Sequence, residues 1–327
     1  MNYRTIVDPK RYDFKISHQS NLLMIGSCFS ENIGGKLRSN KLNTLVNPFG
    51  ILFNPISIVN TLNSVLDETN FIEEDLHFEN GLYHSFMHHG KFSGLEINDV
   101  LTSINESRKK ATAFLKETDL LMITLGSAWA YKFIKRDEYV ANCHKVPNKE
   151  FKKELLTVEF IVKEMEEVIS KLQSINSKLK VIFTVSPVRH WKDGAVENTL
   201  SKSILNVAVH QIVRNSDSVY YFPAYEMVID DLRDYRFYKE DMVHPNSVAV
   251  DYIWEGFENS FFTEDTIKLN KEIAKIETAG SHRPFNIQSE KHQLFLKKQL
   301  EKIKTLKEQH PNLNFDSEIE KIISQTV

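Results

Sequence analysis

Two stretches of this chain carry side chains suited to acyl transfer. Gly26-Ser27-Cys28-Phe29 places a hydroxyl and a thiol on consecutive residues, directly after the apolar run Leu22-Leu23-Met24-Ile25. Asp241-Met242-Val243-His244-Pro245 lies far downstream and places a carboxylate three residues before an imidazole. Acyl transfer needs a nucleophile, a base, a group that orients the base, and donors for the oxyanion. Ser27 is the candidate nucleophile, with its own backbone N–H as an oxyanion donor. His244 is the candidate base, and Asp241 the carboxylate that fixes its tautomer. Each feature also has a plainer reading. Ser27 would serve as the amino-terminal cap of a helix starting near Ser30, and Asp241 as a cap for the helix after Pro245. Cys28 is the rival nucleophile, because a thiol beside a helix amino terminus ionises more readily. Neighbours on a turn point in different directions, so only one of the pair faces His244.

Other residues stand out by type and spacing. His84, His88 and His89 contain a four-residue spacing that a metal can use on a helix. The alternative is a segment capping the active edge, with His89 touching substrate. Cys143-His144-Lys145 reads as part of the site wall, with His144 meeting a polar substrate. Arg189 and His190 follow an apolar run and are candidates for substrate contact, with an ion pair from Arg189 to Asp193 or Asp241 as the alternative. Asp230, Asp231, Arg233, Asp234 and Arg236 read as a charge network ordering the loop that holds Asp241 and His244.

The elements that must position these residues follow from apolar patterning. Leu22 to Ile25, Leu120 to Leu125, Val181 to Val185 and Val219 to Phe222 read as buried parallel strands, with a weaker one at Leu42 to Val46. Helical spacing falls between them at Ser30 to Ser39, Val158 to Leu172 and Asn198 to Val213, and again at Ser247 to Phe261. This alternation predicts an α/β fold with a doubly wound parallel sheet. At the carboxyl edge of such a sheet ligands bind, and both chemical stretches fall there. Residues 1–261 form the expected α/β domain. Within it, 54–116 reads as a capping insertion and Tyr131 to Cys143 as a hairpin insertion. Residues 262–327 switch to Lys/Glu-rich helical sequence, expected to pack on the core or on a second subunit as a homo-oligomer contact.

The chain has 327 residues, 41% hydrophobic and 26% charged, with a formal net charge of -3. That balance gives no reason to expect nucleic acid as a partner. No run approaches the ~20 apolar residues of a membrane span. Two cysteines make no disulfide framework, and the amino terminus lacks the apolar stretch of a secretory signal. A cytoplasmic location is the expectation, with no cofactor and no metal.

Several separate blocks resemble a known family. Gly26-Ser27-Cys28-Phe29-Ser30 is similar to the motif that names the GSCFA family, a branch of the SGNH (GDSL-like) hydrolase superfamily. The likeness continues through Asn47-Pro48-Phe49-Gly50, Leu125-Gly126, Asn142-Cys143-His144-Lys145, Ser186-Pro187-Val188-Arg189-His190 and Glu197-Asn198-x-x-Ser201-Lys202. It runs on through Leu232 to Tyr238 and Asp241 to Pro245, covering roughly residues 20–260. The resemblance implies a three-layer α/β/α sandwich of flavodoxin-like order and a serine-dependent esterase acting on the O-acyl ester of a small molecule, glycan or lipid, with an acyltransferase or a catalytically weak glycan- or lipid-binding protein on the same fold as the alternatives. It implies Ser27 as nucleophile, His244 as base, Asp241 as its partner and the Gly50 N–H as an oxyanion donor. One departure is visible. The superfamily's third block carries an Asn after a Gly, and here the run is Gly126-Ser127-Ala128-Trp129. Asn142 or Asn47 is the expected replacement donor.

Overall fold

The computed structural model describes residues 4–281 and 284–326. Positions 1–3, 282–283 and 327, within the expected amino terminus and helical tail, lie outside the described residues. In chain order the elements are β1 (Asn21–Gly26), α1 (Cys28–Ser39), β2 (Asn43–Val46), α2 (Pro55–Leu66), β3 (Leu76–Glu79), β4 (Leu82–Ser85) and α3 (Ile97–Lys116). They continue with β5 (Leu120–Leu125), β6 (Trp129–Phe133), β7 (Glu138–Val140), β8 (Phe151–Leu155), α4 (Val158–Ile175), β9 (Lys180–Val185) and α5 (Ala195–Arg214). The last are β10 (Val219–Tyr221), α6 (Ala224–Glu226), α7 (Ser247–Phe261), α8 (Glu264–Ser281), α9 (Glu290–Gln309) and α10 (Asp316–Ile323).

Five strands form one parallel sheet in the order β2-β1-β5-β9-β10, the flavodoxin-like winding of an α/β/α sandwich. Strands apolar on both faces are what a sheet covered on both sides requires. Leu23, Ile25, Leu121, Ile123, Val181 and Phe183 point into one core, shared with residues of α2 to α5. Leu22, Met24, Met122 and Ile182 point into the other, shared with Phe29 and Ile33 of α1 and Ile253 and Phe257 of α7. β1 lies between the edge strand β2 and the central strand β5, with Leu22 opposite both Thr44 and Leu120. The first strand therefore delivers its end beside the centre of the sheet edge.

Residues 54–116 divide into two uses. α2 and α3 place Ile58, Leu62, Ile104 and Leu115 in the main core and form part of a sandwich layer. The stretch between them, through the β3–β4 hairpin to Phe92, comes to the strand-end edge, where the His89 N–H donates to the Phe49 carbonyl at 3.0 Å. The hairpin read from Tyr131 to Cys143 is present as β6 and β7, with Tyr131 opposite Val140. β8 adds a third antiparallel strand beside β6, with Phe133 opposite Phe151.

An amino-terminal arm lashes across the sandwich. The Arg4 guanidinium pairs with Asp231 at 2.5 Å, the Tyr12 N–H donates to Ser260 O at 3.2 Å, and the Ile16 N–H donates to Phe261 O at 2.7 Å. The tail helices α8 to α10 enclose a separate cluster that includes Ile276, Leu296, Ile303, Phe315 and Ile322. They rest on the sandwich of their own chain. Lys41 meets Glu318 at 2.6 Å, and Asn270 donates to Glu258 on α7 at 2.8 Å. Among the described residues no helix is long and apolar enough to cross a membrane.

Candidate active site

The turn that carries Ser27 and Cys28 is built by a strand that ends under constraint. Gly26 has φ +145°, and a Cβ there would stand 2.3 Å from Thr124 O on β5. Only glycine allows the backbone that close. The chain then turns directly into α1, with Ser27 as its N-cap. Ser27 Oγ accepts the Phe29 N–H at 3.3 Å, and the residue is 4% exposed. Cys28, the first helical residue, is half-buried. Burial, and then Glu31, push its thiol up, opposed by the charge of Lys202 and by the Cys28 and Phe29 N–H groups. Both the hydroxyl and the thiol therefore need a base to become nucleophiles at neutral pH.

His244 is held by a loop that folds on itself. Asp241 Oδ1 accepts the N–H groups of Val243 and His244, each at 2.9 Å, while Oδ2 meets His244 Nδ1 at 2.7 Å. One carboxylate oxygen thus shapes the turn and the other orients the ring. The two N–H bonds and then the ring hold the Asp241 carboxyl down, to about 2. Met242 takes φ +57° to close the turn, and the Lys239 N–H donates to His244 O at 2.7 Å. Asn246 caps α7 by accepting the Ala249 N–H at 3.1 Å, so the helix cap belongs to Asn246 and not to Asp241. Among the described residues no hydrogen bond joins Ser27 Oγ to His244. Among the described residues no hydrogen bond is made by Nε2 of His244, the ring nitrogen that does not face Asp241.

The groups read from sequence as oxyanion donors have partners within the protein. The Ser27 N–H donates to Thr124 O at 3.2 Å, because pairing with β5 continues one residue beyond Gly26. The Gly50 N–H closes a tight turn by donating to Asn47 O at 2.8 Å. Asn142 is engaged elsewhere. Its N–H donates to Phe86 O at 3.2 Å, and its Oδ1 accepts the His144 N–H at 3.0 Å. The amide set against the nucleophile turn is Asn47. It is 1% exposed, its Oδ1 accepts the Gly26 N–H at 2.9 Å, and its Nδ2 has no partner among the described residues.

The remaining candidates separate into two regions. His89 lies against Gly50, its Cβ 2.2 Å from where a glycine Cβ would stand. Gly50 has φ +83°, so the close approach and the backbone both demand glycine there. His190 stacks on Phe53 with ring centroids 5.1 Å apart, and its Nε2 lies 3.4 Å from the corresponding position on Gly126. Burial and the Lys202 charge hold His190 down to about 4. Arg189 forms neither of the ion pairs read from sequence. It donates to Tyr238 Oη at 3.2 Å on the loop that carries the base, while Asp193 pairs with Lys153. His144 is 8% exposed, bonded through Nε2 to Ser85 O at 2.8 Å and stacked on His84, so it is built into the wall and not offered to a ligand. His88 is fully buried between Phe49, Phe71 and Phe92. Among the described residues no three His, Cys, Asp or Glu side chains are grouped to hold a metal ion. The acidic and basic residues from 230 to 236 form separate pairs, Arg233 with Asp230 and Arg236 with Asp234, while Asp231 binds Arg4 and Tyr252.

A large open groove of about 1120 Å³ borders the base loop at Lys239, Pro245 and Asn246 and runs between α1, α7 and α8. Sequence reading missed this groove, since one of its walls is the tail helix α8.

Taken together, the molecule is an α/β/α sandwich with an Asp–His pair and a Ser–Cys turn at the carboxyl edge of its sheet. The chain belongs to the GSCFA family, whose model matches residues 21–257. A second model, GSCFA domain protein, C-terminal domain, matches residues 273–326. The tail is thus shared with other proteins as a domain, which the sequence blocks did not reveal. No curated protein matches the chain. Among solved structures, the chain is similar to a carbohydrate esterase family 3 protein from Talaromyces cellulolyticus. The two are 10% identical with a TM-score of 0.36, covering 78% of this chain and 99% of that one. It is similar in the same degree to an acetyl esterase mutant solved with an acetate ion, at 10% identity and TM-score 0.36, covering 78% of this chain and 100% of that one.

Proposed function

We propose that this protein hydrolyses an O-acyl ester of a small molecule or glycan through an acyl-enzyme. The observation that carries the reading is the Asp241–His244 pair, hydrogen-bonded at 2.7 Å with one ring nitrogen left over, on the loop that leads into α7 at the sheet edge where β1 ends. Ser27 Oγ attacks the acyl carbon, and His244 Nε2 takes the hydroxyl proton. The alcohol leaves with that proton, and water, activated by the same nitrogen, releases the acid. Asp241 stabilises the imidazolium. Asn47 Nδ2 and the Cys28 N–H at the start of α1 supply the oxyanion donors. Arg189, His190 and His89 line the substrate side.

A second reading of the nucleophile is favoured by exposure. Cys28 is more exposed than Ser27, and its sulfur meets helix N–H groups. One experiment separates the two. The protein is treated with a fluorophosphonate and, separately, with iodoacetamide, and the labelled peptide is mapped in wild type, Ser27→Ala and Cys28→Ala. Hydrolysis of p-nitrophenyl acetate is expected to fall by about 10²-fold or more in Ser27→Ala, with fluorophosphonate on Ser27. Loss of hydrolysis in Cys28→Ala instead moves the acyl group to sulfur. Full activity in both variants retires the acyl-enzyme.

A further inference from the structure

α5 starts beside the turns that follow β5 and β9, and three residues of its first half grip those turns. Asn198 Oδ1 accepts the His190 N–H at 2.9 Å. Ser201 Oγ accepts the Ala128 N–H at 2.7 Å and lies 3.2 Å from Ser127 Oγ. Lys202 Nζ donates to Gly126 O at 2.5 Å and to Ser186 O at 2.7 Å. Lys202 is 1% exposed, and among the described residues no carboxylate lies within 4 Å of its ammonium. The titratable or charged groups that face it are Cys28 on α1 and Arg189 and His190 on the turn after β9. Every one of them is neutral or positive, so nothing there compensates the charge.

Burying an unpaired ammonium is costly, and a well-packed apolar side chain of similar volume would avoid that cost. Stability alone is therefore a poor reason for a lysine here. Its position supplies a better one. Gly126 and Ser186 are the residues at which the two central strands open into the site wall, and His190 and Arg189 follow Ser186 within four residues. We propose that Lys202 is a positioning residue of the acyl-transfer site: its single ammonium ties the Gly126 turn to the Ser186 turn and holds a positive charge beside the nucleophile turn. The charge half of this proposal rests on the hydrolase reading; the tie does not. Burial lowers the lysine to about 7, so it loses its charge within the range where enzymes are assayed. A neutral amine keeps weaker donors than an ammonium.

The test uses the full-length protein. Backbone hydrogen exchange of peptides covering the turns at Gly126 and Ser186 is followed by mass spectrometry from pH 6 to pH 9, corrected for the intrinsic pH dependence of exchange. In wild type, protection of both turns is expected to fall as pH rises through the lysine's titration. Lys202→Met and Lys202→Gln, checked for folding by circular dichroism, are expected to show low protection at every pH. Their kcat on p-nitrophenyl acetate is expected to fall tenfold or more with KM within twofold, and the loss of activity above about pH 7 expected of wild type is expected to be absent from both variants. Protection that does not change with pH in wild type overturns the tie, even if neither variant folds. A folded variant with wild-type kcat and pH profile overturns the charge role. Loss of protection in a protein without esterase activity sustains the tie and retires the hydrolase reading instead.

Discussion

At the residue scale, the site is a set of polar side chains made dependable by neighbours that leave them little choice. Asp241 spends one oxygen on its own turn and one on His244, so the ring cannot rotate without losing the bond that fixes its tautomer. The histidines packed near the site carry a different consequence. Burial holds His88 down to about 3 and His144 and His190 down to about 4. All three are neutral in the folded protein, while the unfolded chain titrates them near 6.5. Above that pH they add no pH dependence. Below it the unfolded chain binds protons that the folded one refuses, so stability falls with pH down to the folded values. The slope is about 1.4 kcal/mol per pH unit for each histidine. Urea unfolding midpoints measured from pH 7 to pH 4.5 are expected to drop accordingly, and His88→Gln to flatten the curve by one proton. Midpoints independent of pH over that range contradict the burial of these rings.

At the element scale, the strand that ends at the Ser27 turn has little tolerance for substitution. Gly26→Ala would put a Cβ against the Thr124 carbonyl at a φ that L-residues rarely adopt. The strain alone is about 1–3 kcal/mol, and the β1–β5 pairing must part to relieve the clash. A melting temperature close to wild type in this variant rules the geometry out. How much of this was legible in sequence differs by element. The strands at Leu22, Leu120, Val181 and Val219 were readable because a sheet covered on both faces demands unbroken apolar runs. β8 was not, since Phe151–Leu155 is largely polar and pairs at an exposed position. α2 and α3 read as a cap because an apolar helix has the same pattern whether it lies in a layer or over a site. Asp241 and His244 were readable from spacing, but the commitment of the Ser27 and Gly50 N–H groups was not, since backbone partners leave no trace in side-chain type. Lys202 did leave one. It falls on the apolar stripe of α5 with Leu205 and Val209, and a lysine on a buried face signals a tethered ammonium.

At the scale of the whole molecule, the sandwich and the tail have separate interiors joined by a polar seam that includes Lys41–Glu318 and Asn270–Glu258. Removing a fully buried side chain from the tail, as in Leu296→Ala, is expected to cost about 2–5 kcal/mol. Calorimetry is expected to show that loss in the tail's transition, with the sandwich's transition in place. A single transition shifted as one would mean that the two interiors unfold together. The amino-terminal arm adds a constraint of a different kind. Its hydrogen-bond partners, Ser260 and Phe261, close the last helix of the sandwich, so the two ends of the sandwich are stitched to each other. In a growing chain the arm is made before the sandwich, and its partners at the end of α7 are made after every other element of the sandwich. Tyr12 and Phe14, which pack against Phe261 and Tyr220 once folding is complete, wait through synthesis of the sandwich for the surface they cover. A ribosome-bound chain therefore keeps these rings uncovered, and the sandwich open, until α7 has been made.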